Sequence, residues 1–124
     1  MILEMSCQAS IQDSLFDPNL IRLTEDLRVI KMYKKGDLID FGRYKGNLAN
    51  DGLLIIEGNI DLVLQFLEVE IIPHFSIEIY KLNLSILICY EGQCNFEFTV
   101  PQLLKFSSLN IPLAISCYPV TEPI

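Results

Sequence analysis

The sequence predicts a single α+β domain in which a mostly antiparallel sheet carries helices on one face. Short segments alternate apolar and polar residues, which is typical of strands with one buried face, and other segments repeat apolar residues at helical spacing. The two kinds of segment interleave along the chain. With 124 residues, 51% of them hydrophobic, the chain is long enough for one domain with a core of its own.

The N-terminal segment, residues 3–12, has the clearest alternation. One face of the predicted strand is apolar, with Leu3, Met5, Cys7, Ala9 and Ile11, and the residues between them are polar. We expect this strand to have one face on the core and the other in water.

Asp17 and Pro18 follow, which are typical of a helix N-cap and first helical position. They predict a helix over residues 18–27. A short strand over residues 29–33 should come next, then turns with a short extended piece over residues 34–51, and then a buried strand over residues 52–57.

Residues 59–83 are the most ambiguous segment. Their apolar residues recur at steps of three and four, which predicts a helix, although parts of the segment also alternate and are rich in β-branched residues. Pro73 lies within it and should kink a continuous helix or divide it in two. We interpret the segment as a helix kinked near Pro73.

The C-terminal third predicts a hairpin, a short helix and a last strand. Alternation over residues 84–90 and 94–100, with Gly92 between them, predicts the hairpin. Pro101 should begin the helix, Asn110 should end it, and residues 111–117 should form the strand. The predicted order is therefore β-α-β-β-α-β-β-α-β over residues 1–118, with residues 119–124 as a tail.

The charge of the chain restricts its partners. A net charge of −7 argues against nucleic-acid binding, which needs Lys and Arg at the phosphates. Residues 1–45 hold seven acidic and seven basic side chains, whereas residues 46–124 hold nine acidic and two basic ones. This excess suits a basic protein partner, although acidity that only keeps the protein soluble gives the same numbers.

We also expect a cytoplasmic location without a membrane partner. The longest apolar-rich stretch, residues 60–82, carries acidic and basic residues that are costly in lipid, and the N-terminus lacks the pattern of a signal peptide.

Sequence motifs for catalysis, cofactors or metals are absent. The four cysteines include no Cys-x-x-Cys pair, so we expect reduced, buried thiols rather than disulfides or zinc ligands. His74 is the only histidine, and the glycine spacings do not match a phosphate-binding loop. We therefore predict no catalytic, cofactor-binding or metal-binding residues, while an enzyme using Cys89 or Cys94 stays open as an alternative.

The first candidate surface is an acidic ridge on the long predicted helix. Its members are Asp61, Glu68, Glu70 and Glu78. Inhibitor proteins use such ridges to meet basic active-site clefts. An ordinary solvated helix face gives the same pattern.

The second candidate surface is the loop after the second predicted strand. It holds Tyr33, Phe41, Arg43 and Tyr44, which are residue types that carry much of the energy of protein interfaces. The aromatic residues would equally serve to cover the end of the core.

Several short motifs give the chain a resemblance to a known family. They are Phe16-Asp17-Pro18, Lys35-Gly36-Asp37, the apolar stripe of residues 60–82, Glu91-Gly92-Gln93, Leu103-Leu104 and Ser116-Cys117-Tyr118. In this order the chain resembles a family of small bacterial proteins known as a domain of unknown function, some of which resemble toxin-immunity proteins. The resemblance implies an immunity protein (antitoxin) that blocks the active site of a cognate bacterial toxin. A small-ligand-binding or regulatory domain is the alternative, and it predicts a sizeable pocket.

Overall fold

The structure is a computed structural model that describes residues 1–40, 42–75 and 81–120. Five strands and two α-helices make up its regular structure. Their bounds are β1 Ile2–Asp13, β2 Arg28–Tyr33, β3 Gly52–Gly58, α1 Ile60–Phe66, β4 Leu82–Tyr90, α2 Val100–Leu109 and β5 Leu113–Pro119. A 3-10 helix (Pro18–Leu20) precedes β2, and a π-helical turn (Leu67–Ile71) continues α1.

All five strands belong to one sheet in the order β2-β3-β1-β4-β5. The pairs β2–β3, β3–β1 and β1–β4 are antiparallel, and β4–β5 is parallel. The α+β class is therefore confirmed, and the sheet is mixed, with three of its four pairings antiparallel, while the predicted element order is not matched.

The alternation of β1 produces the core over its second half only. Cys7, Ala9 and Ile11 are buried, as are the β4 residues opposite them, whereas Leu3, predicted for the same face, is 47% exposed and lies at an irregularity in the pairing with β4. On the same face α1 and its π turn add the buried residues Ile60, Val63, Leu64, Phe66, Leu67 and Ile71. A strand that alternates in this way gives the sheet one apolar face, and the helices pack on that face and bury it.

The first predicted helix is wrong in length. Asp17 does cap a helical turn, since its side chain accepts a hydrogen bond from the Asn19 N–H, but the 3-10 helix ends at Leu20. Only Pro18 is buried in it, and Leu20 is exposed. Short helices owe most of their stability to the packing of a buried face. This segment buries too little surface to stabilise further helical turns.

The long central helix ends earlier than predicted, and residues 76–80 of the predicted helix lie outside the described residues. It begins after the Asn59 cap as expected, but the chain leaves the helix just before Pro73, and Leu82 belongs to β4. Proline lacks the N–H that a helix needs and its ring clashes with the preceding turn, so here Pro73 ends the helix.

The predicted C-terminal hairpin is wrong, and its second strand is missing. Cys94, Phe96 and Phe98 do alternate in burial with their neighbours, yet residues 93–99 form no strand. The position beside β4 is occupied by β5 in parallel pairing. Residues 93–99 pack against α2 instead, where the Phe98 and Phe106 rings lie 5.4 Å apart.

The last strand extends further than predicted. β5 runs to Pro119, and the Val120 N–H donates to the Tyr90 carbonyl at 2.8 Å. Two residues of the predicted tail therefore lie on the sheet, and residues 121–124 are outside the described ranges.

Candidate functional site

The loop between β2 and β3 folds into a small hairpin-like structure. The Gly36 N–H donates to the Ala49 carbonyl at 2.8 Å, and the Ala49 N–H donates to the Asp37 carbonyl at 2.7 Å. Gly42 and Gly46 have φ values of 80° and 91°, which side chains rarely adopt, so they permit the tight reversal between them. Arg43 and Tyr44 lie in this reversal.

A cleft of about 510 Å³ opens between this loop and the adjacent strands. Its lining residues are Gln12, Lys31, Tyr33, Ile39, Gly42, Arg43, Tyr44, Asn47, Leu48, Ala49, Asn50, Asp51 and Leu53. Strand pairing places Tyr33 opposite Leu53, on the side of the sheet away from α1. The cleft therefore lies across the sheet from the helices.

Three of the four loop residues predicted from the sequence meet in this cleft. Tyr33, Arg43 and Tyr44 all line it, and the Arg43 guanidinium lies 5.8 Å from the centroid of the Tyr44 ring. Removal from water, and then the negative charge of Asp40, raise the pKa of Tyr33 above its usual value of 10.0. Phe41 lies outside the described residues.

On the other side of the sheet, α2 has well-defined ends. The Thr99 hydroxyl accepts from the Gln102 N–H while the Gln102 side chain accepts from the Thr99 N–H, which forms a capping box. Asn110 ends the helix in the left-handed conformation, as the sequence predicts.

The two faces of α2 differ. Phe106 and Leu109 pack against the core, and Gln102 and Lys105 share that half-buried side. Val100, Leu103 and Leu104 lie on the opposite side by helical spacing, and they are 67%, 50% and 66% exposed. We call these three residues the α2 stripe.

The predicted acidic ridge lies where α1 meets α2. The Gln102 amide donates to Asp61 at 3.2 Å, and Lys105 forms an ion pair with Glu68 at 3.7 Å. Both carboxylates remain exposed, and they contact the half-buried side of α2, opposite the α2 stripe. Glu70 is half-buried, and Glu78 lies outside the described residues.

Apolar side chains are exposed on the turn that continues α1 as well. Val69 and Ile72 flank the acidic ridge and are 50% and 45% exposed. We call Val69, Ile72, the α2 stripe, Asp61 and Glu68 together the helical face. It combines exposed apolar side chains with exposed carboxylates, and protein interfaces use both kinds of side chain.

Sequence reasoning missed the α2 stripe, because it assigned Leu103 and Leu104 to the short helix without predicting which side of the helix faces solvent. A signal was present in the sequence. Lys105 is the only charged residue between Phe98 and Val120, in a chain with 16 acidic and nine basic side chains. In a chain with this many charges, a long segment with a single charged residue indicates either burial in the core or a surface that a partner covers.

The cysteines are free thiols, but the expectation that they are buried is only partly correct. Cys7 is fully buried, and this burial raises its pKa to about 12. Cys117 is exposed, and the Cys94 thiol contacts it with 3.9 Å between the Sγ atoms. Burial and the Cys117 neighbour raise the pKa of Cys94, which is opposite to the shift in an activated nucleophile.

In the part of the chain that the structure describes, no group of three or more His, Cys, Asp or Glu residues is arranged to hold a metal ion. Nor do residues 1–40, 42–75 and 81–120 contain a helix with the length and apolar character needed to span a membrane.

The fold and these surfaces define a small α+β protein with a cleft on one side of its sheet and an apolar, acidic helical face on the other. Compared with known proteins, the chain matches no family model, no curated protein and no solved structure.

Proposed function

We propose that this chain is an immunity protein, which neutralises a cognate bacterial toxin by covering its active site and needs no catalysis or cofactor of its own. The observation that carries the proposal is the helical face. We infer that the acidic excess selects a basic toxin, that no nucleic acid is bound, and that the protein works in the cytoplasm.

The apolar part of the helical face supports a protein partner. Its five apolar side chains are between 45% and 67% exposed, and three of them line up on one helix. Burying apolar surface is worth about 25 cal/mol per Å², so a partner that covers these side chains gains binding energy from each. Contact with another protein is the usual reason for grouping such residues on a surface.

The acidic part supports a basic partner. Asp61 and Glu68 contact α2 through Gln102 and Lys105, and both helices lie in residues 46–124, which hold nine acidic and two basic side chains. A negative field raises the rate at which a cationic surface arrives, and carboxylates at the rim pair with its Arg and Lys side chains. A toxin with a basic groove fits this description.

The direct experiment is coexpression with the product of each neighbouring gene. We expect one product to be toxic alone, to be harmless with this chain, and to copurify with it. Leu104→Arg should weaken binding roughly tenfold or more, because it puts a positive charge into the centre of the interface.

Leu20→Arg is the matched control, since Leu20 is 76% exposed but belongs to the 3-10 helix rather than the helical face. Equal affinities for the two variants would exclude the helical face as the binding surface. Absence of any toxic neighbour that the chain neutralises would overturn the immunity function itself.

The cleft favours a second candidate, a small-ligand-binding domain. Its lining combines two tyrosines with Lys31 and Arg43, which suits a small anion with an apolar or aromatic part. Tyr44→Ala separates the candidates, because it should abolish ligand-induced thermal stabilisation while leaving toxin neutralisation intact.

A further inference from the structure

Two thiols meet outside both candidate surfaces. Cys94 lies half-buried in the segment between β4 and α2, and Cys117 lies exposed in β5, 23 residues further along the chain. Their Sγ atoms are 3.9 Å apart, which is van der Waals contact for sulfur.

The register of β5 on β4 explains why the Cys94 and Cys117 thiols are in contact. Cys117 pairs with Ile88, which is fully buried, so the Cys117 side chain points to the core side of the sheet. Cys94 packs against the core from the same side. Cys89 pairs with Tyr118, one register position along, and its side chain therefore points to the opposite side.

We propose that Cys94 and Cys117 are a redox modification site, which forms a reversible intramolecular disulfide by exchange with a low-molecular-weight disulfide of the glutathione type. This inference does not depend on the proposed function.

The reaction balances as two thiol–disulfide exchanges. The Cys117 thiol gives its proton to solvent, and its sulfur attacks one sulfur of the reagent, whose S–S bond breaks to release a thiolate that takes up a proton. Cys94 then loses its proton and attacks the Cys117 sulfur, which releases the second reagent thiol. The protein is oxidised by two electrons, and one reagent disulfide is reduced to two thiols.

Exposure sets this order of attack. Cys117 is open to the reagent, whereas Cys94 is half-buried, and burial and the Cys117 thiol raise the pKa of Cys94. The sulfurs must then approach to about 2.05 Å. Residues 93–99 belong to no helix or strand, so this segment can move by the required amount without breaking a strand pair.

The disulfide would close a loop that contains α2. Cross-linking a loop of this length removes chain entropy from the unfolded state, and we expect the melting temperature of the oxidised protein to rise by roughly 10 °C.

The test is incubation of the purified protein with oxidised glutathione, followed by intact-mass measurement and peptide mapping. Wild type should lose two hydrogens and yield a linked pair of peptides that contain Cys94 and Cys117. Cys94→Ser should stop at the mixed disulfide on Cys117, and Cys117→Ser should form neither product. Cys89→Ser is the control and should behave as wild type.

Thermal melts of the oxidised and reduced wild type give a readout that does not depend on any variant folding. Accumulation of the mixed disulfide without a loss of two hydrogens would overturn the proposal, as would a link that maps to Cys89 or Cys7.

Discussion

At Gly52 the backbone of β3 passes so close to that of Phe16 that no side chain fits between them. A Cβ atom placed on Gly52 would lie 1.6 Å from the Phe16 carbonyl oxygen, although the backbone conformation of Gly52 is an ordinary one. The requirement for glycine here therefore comes from packing, and a sequence read alone gives no sign of the contact.

Gly52→Ala should destabilise the protein by about 3 kcal/mol, because the turn that carries Phe16 must move away from the sheet. Urea unfolding measures the loss. Gly92→Ala is the control, since its Cβ meets open space and only its φ of 72° is unfavourable, which costs about 1 kcal/mol. Equal losses for the two variants would contradict the close approach.

Asp13 is the one buried charged residue among those that the structure describes. The Leu15 N–H donates to its carboxylate at 2.8 Å, and Lys81 lies 3.3 Å from the other oxygen. The Leu15 hydrogen bond first, and Lys81 with it, hold the pKa of Asp13 below its ordinary value of 3.8, although burial opposes them.

This shift makes the stability of the fold depend on pH at the acid end. Because the folded state holds the proton more weakly than the unfolded state, the stabilisation is complete above about pH 4 and is lost as the pH falls through the lower folded-state pKa. Asp13→Asn should be less stable than wild type at neutral pH, and the gap should narrow on acidification. Urea titrations at a series of pH values measure it, with Glu4→Gln as the control; a gap that stays constant with pH would refute the assignment.

Among the elements, α2 shows how far the sequence could predict local structure. Pro101 and Asn110 marked its two ends correctly, because both signals act through the backbone of the helix itself. Which side of α2 is buried depends instead on where β5 and the segment of residues 93–99 lie, and these are distant contacts. The helix was therefore predictable, whereas the side of the helix that is exposed was not.

The capping box at the start of α2 gives a test at this scale. Thr99→Ala removes the hydroxyl that accepts from the Gln102 N–H, and it should cost about 1 kcal/mol of stability. Thr24→Ala, at an exposed residue outside the helices and strands, is the control. Chemical denaturation of both variants compares them, and a loss at Thr99 no larger than at Thr24 would argue against the cap.

In the cleft as well, the sequence predicted which residue types take part but not which distant segments come together. Residue types alone pointed to Tyr33, Arg43 and Tyr44, and the structure gathers them around one opening. The contributions of Gln12 from β1 and Leu53 from β3 follow from strand pairing, which short motifs do not encode. Of the predicted acidic ridge, Asp61 and Glu68 lie exposed at α2, and their contacts with Gln102 and Lys105 were not predictable from short motifs.

Across the whole molecule, basic and acidic side chains are concentrated in different parts of the chain. Six of the nine basic side chains lie between Arg28 and Lys45, on and after the edge strand β2, whereas both α-helices lie in residues 46–124, which hold nine acidic and two basic side chains. A partner that meets the helical face therefore meets the part of the chain that carries the acidic excess.

Association with the proposed toxin should consequently depend on salt. Raising the ionic strength from about 0.05 M to about 0.5 M should lower the association rate roughly tenfold, because salt screens the long-range attraction, while the dissociation rate changes little. Stopped-flow mixing measures both rates. Since Leu104→Arg leaves most of this charge in place, its slope against salt should remain close to that of wild type, and a rate independent of salt would contradict the charge argument.

The central position of β1 has a consequence for how the chain acquires its shape. β1 comes first in the sequence, yet its two neighbours in the sheet are Gly52–Gly58 and Leu82–Tyr90. Both pairings must close long stretches of chain before they gain any stability, and such non-local topologies fold on the order of milliseconds to seconds rather than microseconds. During synthesis, β1 therefore stays without its second neighbour in the sheet until Leu82–Tyr90 has left the ribosome.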